Sequence, residues 1–183
     1  MTSYADTRDV VGRPAAWWGM LILIASESTL FGCFIGSYYY LRFRSATWPP
    51  HGIPEPKLVV PLILLAVLLT TVVPMRLAAT RLFLALALVV QSGYFAYEVH
   101  DFSDQLHGFD ITRDAYSSIY YTLLGADHAH VLLGVLFNVW LLGKLTRGFT
   151  RYRIHATRAI ALYWYAVSVL TIVVYGVLLS ARA

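Results

Sequence analysis

Five stretches of this 183-residue chain are each long and apolar enough to cross a bilayer, which leaves few folds open to it. A spanning helix needs about 20 mostly apolar residues, because a rise of about 1.5 Å per residue must cover a hydrocarbon core of about 30 Å. The stretches are Ala16–Tyr40, Leu58–Met75, Leu82–Val99, Tyr116–Leu142 and Ala159–Ala181. Only 13% of the residues are charged, about half the share found in soluble domains. Arg76 and Arg81 bracket the short second connection, and Pro74 marks the break before it. Pro61 falls in the first turn of the second stretch, where a missing amide hydrogen costs little. With no internal repeat and no long linker, the expectation is an all-α, polytopic membrane protein: one transmembrane domain over residues 1–183, built as a five-helix bundle.

The basic residues fall in short segments between the apolar stretches, not in a patch on a soluble domain, so no nucleic-acid partner is expected despite a pI near 9.3. Nine of the 14 lysines and arginines lie on one side of the expected topology (Arg8, Arg13, Arg76, Arg81, Lys144, Arg147, Arg151, Arg153 and Arg158). The other five (Arg42, Arg44, Lys57, Arg113 and Arg182) lie opposite. The positive-inside rule then puts the N-terminus in the cytoplasm and the C-terminus outside. The first apolar stretch is too long, and carries a carboxylate too near its middle, to be a cleavable signal peptide. The lone cysteine, Cys33, permits neither a disulfide framework nor a multi-thiolate metal site.

Polar residues inside the apolar stretches are the candidates for function. Glu27 lies about 16 Å into the first helix at a rise of about 1.5 Å per residue, and a carboxylate at that depth normally faces the bundle and finds a partner. Asp127, His128 and His130 reach a similar depth from the opposite side. Tyr165 and Ser168 bring the fifth helix into the same layer. Such a layer serves equally for a proton, a lipid headgroup or a neighbouring subunit, or as plain interhelical hydrogen bonding. Carboxylates and imidazoles are eligible metal ligands, but two histidines two residues apart on a helix point to different faces. No metal site is expected. Clamping a haem between two helices needs a histidine on each, and both intramembrane histidines stand on one helix; His51, His100, His107 and His155 read as loop or helix-end residues. No phosphate loop, nucleophile–base pair or dinucleotide fingerprint is present.

Several motifs occur in an informative order. The first helix runs Gly19-Met20, then Ser26-Glu27, Phe31 and Tyr39; a loop follows with Trp48-Pro49-Pro50-His51-Gly52-Ile53. Later come Gln91 with Tyr97-Glu98, Gly125 with His130-Val131 and Gly134, and Tyr163-Trp164. Together these resemble subunit III of the haem-copper terminal oxidases, the cytochrome c and quinol oxidase subunit 3 family, in its short five-helix form. Four positions depart from the family pattern: Asp127 replaces its first histidine, His128 a small residue, Tyr165 a histidine and Ser168 an aspartate. Arg158 stands where many members have glutamate. The resemblance implies a non-catalytic subunit of the oxidase complex in a bacterial cytoplasmic membrane. It implies haem and copper in partner subunits I and II and none in this chain, with a lipid-filled cleft holding phospholipid and a role in stabilising subunit I and supporting proton and oxygen access. Membership of a respiratory supercomplex is compatible with it. Arg42, Arg44, Trp48, Lys144, Arg147, Arg151 and Arg153 are the candidate lipid contacts, although each also serves as a topology-setting or interfacial residue. Alternative readings are a nitric oxide reductase accessory protein of the same fold, a small proton-coupled transporter working through Glu27, Asp127 and His130, and a membrane scaffold.

Overall fold

The computed structural model describes residues 14–53, 59–76, 81–108, 110–145 and 151–182. These form five helices, α1 (Ala15–Arg44), α2 (Val59–Arg76), α3 (Arg81–Gly108), α4 (Ala115–Leu145) and α5 (Arg151–Leu179), closed by a 3-10 turn at Ser180–Arg182. No strand occurs among the described residues. Four of the helices, all but α2, are long and apolar enough over their described residues to cross a membrane. At 18 residues α2 is the shortest, spanning about 27 Å at the usual rise.

All the helices but α2 run beyond the apolar stretches that predict them. α3 does not stop near Val99 but runs on to Gly108, so His100 and His107 are helical and not in a loop. α5 begins at Arg151 and not near Ala159, which puts Arg151, Arg153 and Arg158 on its first turns, while Lys144 belongs to α4; the basic stretch expected as one loop is mostly two helix ends. Backbone hydrogen bonding does not require apolar side chains, so a helix that spans the hydrocarbon continues into the headgroup layer. Arg147 lies outside the described residues.

Contacts set the arrangement. α2 packs on α3, α3 on α4, α4 on α5 and α5 on α2, while the diagonal pairs α2–α4 and α3–α5 do not touch along their backbones. Helices α2 to α5 therefore form a four-helix ring, and α1 lies outside it in the seam between α4 and α5. The exterior is apolar, with Ile22, Leu30, Ile63, Leu86, Val89 and Val169 exposed, whereas Gln91, Glu98, Asp127, Asn138, Ser168 and Thr171 are buried. Apolar side chains outside and polar side chains within suit hydrocarbon as the surrounding medium. This is a membrane protein.

Two apolar clusters occupy the two ends. One gathers Leu68, Leu84, Val131, Val135, Trp164 and Val167. Within it a polar strand joins three helices: Gln91 donates to the Thr71 hydroxyl at 3.0 Å, and Asn138 donates to Gln91. In hydrocarbon such bonds are worth about 0.6–2 kcal/mol each. We expect Gln91→Ala to cost about 1–2 kcal/mol, read as an earlier midpoint in denaturing-detergent titration. Adding Asn138→Leu should then cost less than it does alone; full additivity would show that the strand is not a unit.

The second cluster packs Phe31, Tyr38, Tyr116, Leu123 and Val174. Here the Trp-Pro-Pro-His-Gly-Ile loop is a strut. Trp48 wedges between the rings of Tyr38 and Tyr116, at 5.3 and 4.9 Å, and its indole donates to the Tyr38 hydroxyl at 3.0 Å. Arg113 pins the loop through the carbonyl oxygens of His51 and Gly52. Gly52 has φ +82°, a conformation side chains resist, and an added Cβ would lie 3.3 Å from the Arg113 guanidinium. α4 then starts on Asp114, whose carboxylate accepts the Ser117 amide at 2.7 Å as an N-cap.

Candidate functional site

Between the two clusters lies a polar layer, and the structure divides it into separate sites. The first is on the α1–α4 seam. Glu27 Oε2 stands 2.8 Å from His130 Nε2, with the two side chains 25% and 12% exposed. The other ring nitrogen, Nδ1, lies 2.6 Å from the carbonyl oxygen of Ala126. A carbonyl only accepts, so Nδ1 carries a hydrogen. The Nε2–Oε2 contact then holds one further proton, shared between imidazole and carboxylate. Phe31 covers the pair, with its ring centroid 5.1 Å from that of His130. One helical turn makes this possible, because His130 bonds back to its own helix and so aims its far nitrogen at α1.

The second site is inside the ring. Asp127 is fully buried; its Oδ1 lies 2.9 Å from the Thr171 hydroxyl, and its Oδ2 has no hydrogen-bond partner. The third is one turn nearer the α3–α4 connection. There His128 Nε2 and Glu98 Oε1 are 3.8 Å apart, and the Tyr175 hydroxyl donates to the same oxygen at 3.5 Å. Residues 127, 128 and 130 thus serve three different neighbours. Although three residues apart on α4, Asp127 turns to α5 and His130 to α1.

Ser168 is buried on the ring-facing side of α5, as expected, with its hydroxyl unpartnered. Tyr165 is not in the layer: at 37% exposure it faces outward, because residues 164, 167, 168 and 171 take the inner face and 165 falls opposite them. Sequence reasoning missed Thr171, Tyr175 and the contact that Glu98 makes. The signal was available, since Trp164, Ser168, Thr171 and Tyr175 recur at helical spacing. Among the described residues no group of three or more His, Cys, Asp or Glu side chains is placed to hold a metal ion.

Four of the candidate lipid contacts, Arg42, Arg44, Trp48 and Lys144, have protein partners of their own, while the side chains of Arg151 and Arg153 lie outside the described ones. Arg42 donates to the Ser180 hydroxyl at 2.9 Å, tying the end of α1 to the end of α5. Arg44 lies over the Tyr40 ring and Lys144 over the Trp140 ring, at 5.2 and 5.7 Å. Trp48 is the strut described above.

No family model matches the chain. Curated proteins do. Cytochrome c oxidase subunit 3 of Bacillus subtilis (strain 168) is 26% identical over 171 residues, covering 87% of this chain and 83% of that one. The protein of the same name from Myxine glutinosa is 28% identical over 167 residues, 83% of this chain and 64% of its own. The chain is thus similar to cytochrome c oxidase subunit 3 proteins along most of its length, at 26–28% identity. A third relative, from Aeropyrum pernix, is named heme-copper oxidase subunit I+III; it is 28% identical over 182 residues, 89% of this chain but 22% of that longer one. The matches cover 83–89% of this chain, so the similarity is not confined to a single motif.

Proposed function

We propose that the chain is subunit III of a haem-copper terminal oxidase, a non-catalytic subunit that stabilises catalytic subunit I and supports proton and oxygen access to it. The observation that carries this reading is the match to subunit 3 proteins along 87% of the chain, joined to a partly buried carboxylate–imidazole pair that links α1 to α4. The fused name of the Aeropyrum relative supports subunit I as the immediate partner. On this reading subunits I and II hold the haem and copper, and the N-terminus faces the cytoplasm.

The lipid part of the proposal rests on a groove. An apolar recess of about 380 Å³ opens between α1, α4 and α5, lined by Ala16, Met20, Leu136, Phe137, Trp140 and Ile160. It suits an acyl chain, which fills the space without leaving backbone groups unpaired. Lys144 over Trp140 places an ammonium within reach of an anionic headgroup.

Purification in a mild detergent tests the reading. We expect the chain to co-migrate with a larger subunit showing haem absorption, and metal analysis to find copper. A colourless, monodisperse lone protein rejects the proposal, and haem with non-haem iron in place of copper points to a nitric oxide reductase. In the same complex, Glu27→Gln should leave haem content intact and change turnover lifetime or proton uptake; loss of haem would make Glu27 an assembly residue.

A further inference from the structure

The ring interior has a polar face that the Glu27–His130 pair does not use. Gln91, Tyr94, Glu98, Asp101 and Gln105 follow one another along α3 at helical spacing and so share one stripe. Across the diagonal stands the α5 stripe of Trp164, Ser168, Thr171 and Tyr175. The α5 stripe carries two buried polar atoms without protein partners, the Trp164 indole nitrogen and the Ser168 hydroxyl, and on α3 the Tyr94 hydroxyl and the Glu98 carboxylate, both buried, face each other. An unpaired polar group in an apolar medium costs several kcal/mol, on the order of 2–7, so a stack of them signals something else in contact.

At Glu98 there is room for it. A cavity of about 20 Å³ is lined by Glu98, His128 and Tyr175 at its floor and by Asp101, Gln105 and Tyr120 toward the end of α3. A water needs at least about 10–15 Å³ of such space and two to four polar neighbours. Both conditions are met. The upper groups are already linked, with Gln105 donating to Asp101 at 2.6 Å and Tyr120 donating to Gln105 at 2.7 Å. Asp101 and Gln105 are half-buried, so this end leads out of the ring. The 3.8 Å between His128 and Glu98 is too long for a direct hydrogen bond.

We propose that Glu98 and His128 form a hydrated proton-exchange site, in which a cavity water connects them to Asp101 and the aqueous phase beyond the α3–α4 connection. A proton from bulk water passes to Asp101, from there to the cavity water, and the water releases one to Glu98 Oε2 or His128 Nε2. The return path reverses these steps, and no electron moves. The groups around the pair fit this role. α3 contributes Tyr94 and Asp101, α4 contributes Asp127 and Tyr120, and α5 contributes Tyr175; α2 presents the aliphatic Leu64, and among the described residues no lysine or arginine lines the cavity. The site goes beyond the oxidase reading and does not depend on it.

Radiolytic hydroxyl labelling of the intact complex tests the water, because radicals form from water in contact with the side chain. Leu124 and Tyr120 line the cavity, whereas Leu123 and Tyr163 are equally buried away from it. We expect Leu124 and Tyr120 to be modified roughly tenfold faster than Leu123 and Tyr163 if the cavity holds water; equal protection overturns the proposal. Leu124→Phe should fill the space and remove the difference, and an undiminished rate at Tyr120 would count against this route. The proton is read separately by infrared difference spectroscopy of the complex between mildly acidic and mildly alkaline pH. Bands lost in both Glu98→Gln and His128→Leu support exchange, and an unchanged difference spectrum in these variants overturns it.

Discussion

Gly134→Val is expected to weaken the bundle by about 3 kcal/mol, the upper end of the cost of overpacking a filled core. A Cβ at this position would lie 2.7 Å from Cζ2 of Trp164 and 3.0 and 3.1 Å from two further atoms of the same ring. Real Cβ atoms do not approach that closely, so the indole must move. Trp164 is fully buried, held among Val131, Val135 and Val167, and a rigid ring in a filled space has nowhere to go. In hydrocarbon, helix association rests on close packing because lipid is as apolar as the side chains. Losing the α4–α5 approach therefore forfeits what holds those helices together. The gain in helix propensity from replacing glycine by valine is a few tenths of a kcal/mol and does not compensate. Gly93→Ala is the matched control: nothing lies within 4 Å of its added Cβ, so propensity alone acts and stability should rise by up to about 1 kcal/mol. Denaturing-detergent titration of both variants checks the pair. A Gly134→Val protein as stable as the unsubstituted one would mean that Trp164 is not locked.

Much of this architecture was legible in the sequence because apolar length is a direct measure of bilayer crossing. All five helices lie where apolar stretches predict them. Their ends were not legible, for the same reason. Apolar composition marks the hydrocarbon, and helices such as α3 continue past it through His100, Asp101 and Asp104 on backbone hydrogen bonds and polar side-chain pairs. That misreading had a consequence at the site. With the third apolar stretch ending at Val99, the five-residue stripe of α3 was cut after Glu98, and its face could not be recognised.

The polar layer was found but not resolved. Depth along each helix follows from residue counting, which is why Glu27, Asp127, His130 and Ser168 were expected in one layer; the structure brings Glu27 and His130 into contact. Azimuth depends on which neighbour each helix meets, and that is set by packing. Asp127 and His130 differ by three positions, about 60° around the helix axis, and this is enough to send one to α5 and the other to α1. Tyr165 was placed in the layer by its depth as well, and here too azimuth decides, since at 37% exposure it is far more open than Ser168. Trp48 and Arg42 were read as lipid contacts because interfacial aromatic and basic residues usually are; here each also holds two segments of the chain together.

The Glu27–His130 contact carries the second large effect. Glu27→Leu should cost about 2–3 kcal/mol, less than the 3–5 of a fully buried pair, because Glu27 keeps 25% exposure. The penalty arises at the partner. His130 Nδ1 is committed to the Ala126 carbonyl, so the ring cannot turn, and Nε2 is left facing apolar surroundings without a partner. Glu27→Gln behaves differently, because its amide nitrogen donates to the Nε2 lone pair of a neutral ring and keeps the bond within about 0.5 kcal/mol. It removes only the shared proton. His130→Leu strands the carboxylate and should cost as much as Glu27→Leu. The double leucine variant leaves neither group unpaired, so it should be less destabilised than the sum of the two singles by about 1–3 kcal/mol. Detergent titration of the four proteins gives the cycle directly. Simple additivity would show that the two side chains lie near each other without interacting. A Glu27→Gln variant as weak as Glu27→Leu would show that a negative charge, and not a shared proton, is what His130 requires.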